Sequence, residues 1–510
     1  MIYRLLVNAL CLLVLMAAIP SAAQTSFSLY VSPAGNDSGP GTMDRPFKTI
    51  QHAANMAKPG TTVYIREGSY CARLRVTQGG NQEKGFVTFQ NLTSQSLPGG
   101  RPILDGSCLT VAHGDDALVE LVDVSFVRIQ GLEIRNFRTA EPESVPWGIR
   151  VAGGGSHIEI LKNNVHHIEQ NSAPGPKNRS NGVGIGVYGT DARLPISDLV
   201  IDGNEVHHLK TGHSESLVVN GNVSGFRIAR NIVHDNSNIG IDVIGFERTA
   251  PDPSVDRARD GVVSENRVYD ITARGYLGDG PNSDGIYVDG GTRILIERNI
   301  VHDVDFGIEM ASEHADGDTS HVIARNNLVY SCHAAAFAIG GYDAKRGRTE
   351  DVSIVNNTIY KNDTWATGSG EFLMQYYLAR NLFQNNIVYV GDHGKLMTSS
   401  SGAAGGVQTV AMDHNLYYSP AGAGALSGSF DGKPFEGFDE YIKLTRNDRN
   451  SVFADPKFVD PGFGDFRLKP ESPARRKGED LGPGVVGSED LEGRPRAEGE
   501  RIDIGCYQMK

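Results

Sequence analysis

The chemistry legible in this chain lies in carboxylates near its middle. Asp242, Asp284 and Glu309 each flank a Gly-Ile pair: Gly240-Ile241-Asp242, Asp284-Gly285-Ile286-Tyr287 and Gly307-Ile308-Glu309. Glu247, Asp289 and Glu313 follow closely after these phrases, His314 adjoins Glu313, and Glu215-Ser216-Leu217 precedes them. Aligned by their turn glycines, the phrases fall in register, with Ala336-Phe337-Ala338 next in line. Asn222, Glu247, Thr292, His314 and Asp343 then form a second column. If each phrase is a strand, neighbours stand about 4.8 Å apart. Carboxylates one strand apart then lie roughly 5 Å from each other, and those two strands apart roughly 10 Å. Glycosidic hydrolysis uses about 5–5.5 Å for retention and about 6.5–9.5 Å for inversion. Asp242 and Glu309, with Tyr287 between them, approach the second range. The same crowding suits Ca²⁺, which takes about six to eight oxygens.

Two uses of such a face predict different companions. Hydrolysis needs an acid and a base drawn from Asp242, Asp284 and Glu309. Abstraction of a proton beside a uronate carboxylate needs a base together with neutralisation of that carboxylate. The expected catalytic set is Asp242, Asp284, Glu309, His314 and Arg259, with Lys210, Lys345 and Arg257 the other nearby cations. Glu215, Asn222, Tyr287, Tyr342 and Asp343 are expected to contact substrate, and Glu247, Asp289 and Glu313 to hold a metal. Tyr276, Trp147 and Trp365 add flat rings for sugar stacking. The insertions at 170–180, 248–260 and 274–282 are long enough to wall a groove. Turn chemistry accounts for Asp235, Asp270 and Asp303, which follow a repeated His or Tyr. It does not account for the central carboxylates, because like charges on neighbouring strands repel and a purely structural face avoids them.

A repeat positions these residues. The phrase Asn, any residue, aliphatic, then His or Tyr starts at Asn163, Asn204, Asn231, Asn266, Asn299, Asn327, Asn357, Asn386 and Asn415, at steps of 41, 27, 35, 33, 28, 30, 29 and 29 residues. A unit this short cannot bury its apolar face alone, so units must stack. The strands alternate with period two, and the Asn and Gly density would break helices. Propeller blades need hairpin turns that are missing here. The expected fold is all-β: a single-stranded right-handed parallel β-helix with an internal Asn ladder beside a stack of His166, His207, His234, His302 and the matching tyrosines. A short helix over Thr49–Ala57 is expected to cap the open first coil. The expected organisation is a signal peptide at 1–23, cap and first coils at 24–130, repeats at 131–420, and a loop-rich C-terminal extension at 421–510 that covers the last coil or lies along the side.

The remaining features set the context. Arg4 followed by an apolar run to Ile19, then Ser21-Ala22-Ala23, reads as a secretory signal cleaved before Gln24. Pro20 and the short run argue against a membrane anchor, so the mature chain is expected outside the cytoplasm with no spanning segment. Export permits disulfides, so Cys71 and Cys108 could pair, and buried thiols are expected among the other cysteines. A formal charge of −13 argues against a nucleic-acid partner, and a monomer is expected.

The stretch from Tyr30 to Tyr70, YVSPAGNDSGPGTMDRPFKTIQHAANMAKPGTTVYIREGSY, resembles the opening of secreted β-helix proteins, including family 9 polysaccharide lyases and several β-helix glycoside hydrolases. The segment from Asp455 to Tyr507 is similar to their closing segment, and Asn282-Ser283-Asp284-Gly285-Ile286 resembles a short motif of polygalacturonase-like hydrolases. The family 9 resemblance implies β-elimination of an acidic polysaccharide with Ca²⁺ held by aspartates and a lysine base. The coils from Asn231 to Ser312 depart from it, because they contain no lysine. The expected function is therefore secreted polysaccharide cleavage, by elimination with bound Ca²⁺. Hydrolysis by a carboxylate pair, C5-epimerisation and non-catalytic carbohydrate binding are the alternatives.

Overall fold

The computed structural model describes residues 27–92, 100–172, 180–400, 410–496 and 501–509. The expected signal peptide lies outside the described residues, as does most of the 170–180 insertion. The chain coils into three long sheets of 15, 13 and 13 strands. Pairing in them is parallel until the closing hairpin, Ser427–Phe430 with Lys433–Glu436. Inward residues such as Ile241, Ile286, Ile308 and Val243 join one apolar cluster that runs from Val31 to Tyr441. It crosses the expected boundaries at 130 and 420 without a break.

The corner of each coil explains the repeated asparagine. The residue before it adopts left-handed backbone, as at Arg230 (φ 53°), Glu265 (φ 57°) and Arg298 (φ 55°). This turns the chain sharply from one sheet into the next, at a cost of about 1–2 kcal/mol for a non-glycine residue. The asparagine then satisfies the corner. The Asn266 amide donates to Ile228 O and to Asn299 Oδ1, both at 3.0 Å, and its own Oδ1 accepts from the Asn231 backbone and side chain. The same pattern links Asn163 through Asn415. At the last rung Asp448 replaces the next asparagine, accepting from Asn415 Nδ2 at 2.8 Å.

Outside this ladder, the rings of His166, His207, His234, Tyr269, His302 and Tyr330 stack at 4.6 to 5.1 Å. Burial, then the charges of His166 and His234, push His207 down to about 4. The unfolded imidazole, titrating near about 6.5, therefore takes up its proton first. The stack's contribution is complete above about pH 6.5 and is lost as pH falls towards 4. Thermal melts across that window are expected to show a falling midpoint. His207→Tyr, which keeps the ring stack, is expected to flatten that slope. An equal slope in the variant would remove His207 from the explanation.

The ends close as expected. The helix Ile50–Met56 starts at Thr49, whose hydroxyl accepts from His52 N, and it buries Ile50 and Ala53. At the far end the helix Phe438–Thr445 sets Tyr441 on the core. Phe458, Phe466, Ile504 and Tyr507 lie along the side of the coils with Leu328, Ile387 and Leu416, so the extension does both things expected of it. A disulfide joins Cys71 to Cys108, and Cys332 and Cys506 are buried free thiols. No helix among the described residues is long and apolar enough to cross a membrane.

Candidate active site

The carboxylates share the outward face of one 13-stranded sheet. Asp242 pairs with Tyr287, and Tyr287 with Glu309, in three successive strands, Ile239–Ile244, Asp284–Asp289 and Phe306–Ser312. Ile241, Ile286 and Ile308 face the core, which forces their following neighbours outward. Two strand spacings put Asp242 and Glu309 roughly 10 Å apart. One register expectation is corrected: Val218, not Leu217, lies opposite Asp242, and Glu215 lies opposite Ile239 at the strand start. Ser216 stands where the later coils have Gly240, Gly285 and Gly307, so an alignment on glycines has nothing to fix the register of this coil.

These groups are deeply buried: Asp242 is 2% exposed, Asp284 7% and Glu309 8%. Burial holds Asp242 and Asp284 well above the usual carboxylate range, and the charge of Glu215 adds to it at Asp242, that of Glu309 at Asp284. Asp242 Oδ1 and Asp284 Oδ1 have no hydrogen-bond partner. The neighbouring Glu309 adds to the rise at Asp284. Burial pushes Glu309 up to about 7, against the opposing effect of Asp284 and Gln375 beside it. Glu215, capped by the Ser214 hydroxyl at 2.7 Å, is pushed up to about 8 by burial and by Glu247.

A second group stands just beyond the strand ends. Asp289 accepts from Glu313 N at 2.9 Å and faces His314 Nε2 at 3.5 Å. That contact raises the imidazole's affinity for its proton. Asn220 donates to Glu247 at 2.7 Å. Asp289 thus spends both oxygens holding the turn that carries Glu313 and His314. Among the described residues no three His, Cys, Asp or Glu side chains converge as a metal site.

Other expected residues lie elsewhere. Arg259 belongs to the strand Arg259–Ser264 of a different sheet, where it donates to Asn222 at 3.0 Å and to backbone carbonyls. The two brace a corner and do not meet the carboxylates, because the chain turns between sheets before Arg259. Thr292, placed in the second column by spacing, likewise belongs to that other sheet, bonded to Ser320. Tyr342 and Asp343 form an outer rim, with Arg346 over the Tyr342 ring at 4.1 Å and paired with Asp343 at 2.8 Å.

A cleft of about 1500 Å³ opens beside the cluster, lined by Trp147, Tyr188, Phe246, Glu247, Tyr276 and His314 among others. Loop 272–283 supplies Tyr276, whose hydroxyl donates to Gln170 O. Trp365 stacks on His333 and carries Arg274 on its ring, so it holds this loop rather than facing the cleft. Sequence reasoning missed Tyr188, Asn220 and Gln375. Tyr188 and Asn220 pair directly and stand in the strand position that Asp289 occupies, so a corrected register would have found them.

Comparisons with known proteins agree with this architecture. Residues 29–192 match the family model described as Pel9A-like, right handed beta helix region, and residues 254–437 match that of the right handed beta helix region. The uncharacterized protein YwoF of Bacillus subtilis is 38% identical over 88% of this chain and 92% of its own length. Pectate lyase PEL9 of Emericella nidulans is 32% identical over 24% of this chain, a match that spans 29% of that enzyme. The crystal structure of pectate lyase Pel9A aligns over 95% of this chain and 97% of its own with 12% identity and a TM-score of 0.46. The chain belongs to the right-handed parallel β-helix superfamily, in one family with YwoF.

Proposed function

We propose that this protein is a polysaccharide-active enzyme that hydrolyses glycosidic bonds, with Asp242 as general acid and Glu309 as general base. The observation that carries this reading is the Asp242–Tyr287–Glu309 column. It sets two buried carboxyl groups two strands apart on one face, the first with an oxygen that has no hydrogen-bond partner within the protein. Burial keeps Asp242 protonated, so it can give its proton to the glycosidic oxygen as the bond to the anomeric carbon breaks. Glu309, whose charge is favoured by the proton on Asp284, takes a proton from a water whose oxygen bonds to that carbon. Asp284 tunes Glu309, and Tyr287 fills the floor between acid and base. A separation of roughly 10 Å leaves room for that water and lies nearest the inverting arrangement.

Elimination from a uronate is the second reading, supported by the Pel9A-like match over residues 29–192. It would need a cation, Ca²⁺ included, to offset this acidic face. Incubation with neutral and uronate polysaccharides, with and without chelator, separates the two. New reducing ends that survive chelator, with the product anomer inverted by NMR, are the expected result. The ultraviolet absorbance of an unsaturated uronate, abolished by chelator, would replace hydrolysis by elimination. Inversion at a uronate without chain cleavage would indicate an epimerase, and binding without any product a carbohydrate-binding solenoid.

A further inference from the structure

We propose that the cleft beside the carboxylates is the binding site for an uncharged oligosaccharide. This rests on the polysaccharide-active reading above, and not on the hydrolytic mechanism. The floor of the cleft departs from what a solenoid requires. Ala117, Trp147, Val183, Val218 and Ile244 form an apolar cluster apart from the core that fills the coils. Trp147 lies opposite Ala117 on one side and Val183 on the other, in three successive strands of the acidic sheet. Trp147 and Val183 line the cleft, together with Val145 and Tyr188, which pack against the same cluster. Stacking of the coils does not call for these side chains, because the inward face of each strand already supplies the core. At about 1500 Å³ the cleft exceeds the roughly 300–1,000 Å³ of a small-molecule pocket and suits several sugar units.

The walls are braced. Ala250 N donates to Asp256 at 2.8 Å within segment 246–256, and Arg257 lies over the Phe246 ring at 5.0 Å. Tyr276 is held through Gln170 O at 3.2 Å, and Arg274 of the same loop rests on Trp365 at 4.4 Å. Rings fixed in this way stack on the C–H faces of pyranoses with little ordering left to do. Charge decides the class of sugar. The lining carries Asp115, Glu247, Asp256 and Asp316 against one arginine, Arg248, and no lysine. His213 and His314 are its other basic groups, and His314 is engaged by Asp289. A uronate chain would bring one carboxylate per unit into this acidic field. An ammonium sugar would find two of the rings already paired with guanidinium groups, Trp147 with Arg150 and Phe246 with Arg257. Hydroxyl groups fit both limits, because they donate to the carboxylates. They also donate to Asn181 Oδ1, a buried acceptor of the lining with no hydrogen-bond partner.

Isothermal titration calorimetry on the intact protein tests this, with chelator present so that no metal bridges an acidic sugar. The probes are neutral gluco-, xylo- and galacto-oligosaccharides, oligogalacturonates and chitosan oligomers. A neutral oligosaccharide should bind, with an affinity that changes less than about threefold between low salt and about 0.5 M salt. Tyr276→Ala should weaken it on the order of 10-fold, and Tyr276→Phe, which keeps the ring, by less than about threefold. Asp316→Lys, at an exposed position of the lining, should leave neutral binding within about threefold and raise oligogalacturonate binding. Tighter binding of oligogalacturonates or chitosan oligomers by the unaltered protein would overturn the uncharged class. An unchanged affinity in Tyr276→Ala, or an equal loss in both Tyr276 variants, would overturn stacking in this cleft. No binding of any probe would overturn the site itself. Product analysis of the same mixtures keeps the two readings apart. Binding without cleavage leaves this inference standing and removes hydrolysis, whereas hydrolysis of a uronate does the reverse.

Discussion

Glu309→Gln should lower kcat by on the order of 10³-fold, the scale of a general base lost from a positioned site. The amide keeps the shape of the side chain but cannot take a proton from water. Stability should hold or rise, because burial, Glu313 and Asp289 all oppose the charge that the substitution removes. Asp242→Asn should be comparably damaging on ordinary glycans. Activity should return on aryl glycosides whose leaving groups need no proton, which marks Asp242 as the acid rather than a structural residue. The pH profile gives an independent reading. A base held up to about 7 must be ionised to act, so activity should fall as pH drops through that value. Asp242, held above the usual carboxylate range, should set the alkaline limb. Full activity in both variants would leave the carboxylates without a catalytic role and favour the binding solenoid.

The second large effect concerns stability. Asn266→Ala is expected to cost about 3–5 kcal/mol, from unpaired buried groups at about 1–3 kcal/mol each. Asn266 is 1% exposed, and its loss strands Asn231 N, part of the Asn231 amide and Ile228 O. The left-handed turns at Arg230 and Glu265 also lose the bonds that hold them. Because each coil touches only its neighbours, the damage should spread along the stack from the broken rung. Denaturant unfolding measures the loss, and amide exchange at Asn231 and Asn299 locates it. The exposed Ile232→Ala one coil away should change stability by less than about 0.5 kcal/mol. Equal effects from the two substitutions would refute a special role for the ladder.

The repeat was legible because its period and its buried amide rest on local spacing. Nine asparagines at near-regular steps imply stacked coils whatever the loops do, and the His/Tyr stack follows from the same spacing, while Ile50, Ala53, Ala54 and Ala57 on one helical face marked the cap helix. Tyr287 could be placed between Asp242 and Glu309 for the same reason. Glu215 was shifted by one residue because its coil has Ser216 where the others have the glycine used to align them. Arg259 was grouped with the carboxylates by its position in the chain, but it follows a corner and so faces another direction.

By itself, then, the sequence determined the solenoid, its register to within one residue, and the strands on which acids accumulate. A period-two strand inside a fixed repeat assigns each side chain to the core or the surface. Only the tertiary structure decided which acids are buried, which oxygens lack partners and which loops line the cleft. Desolvation and hydrogen bonding depend on loops packing from several coils away, as Gln375 does on Glu309 and loop 272–283 does on the cleft. Such contacts join residues that no spacing rule connects.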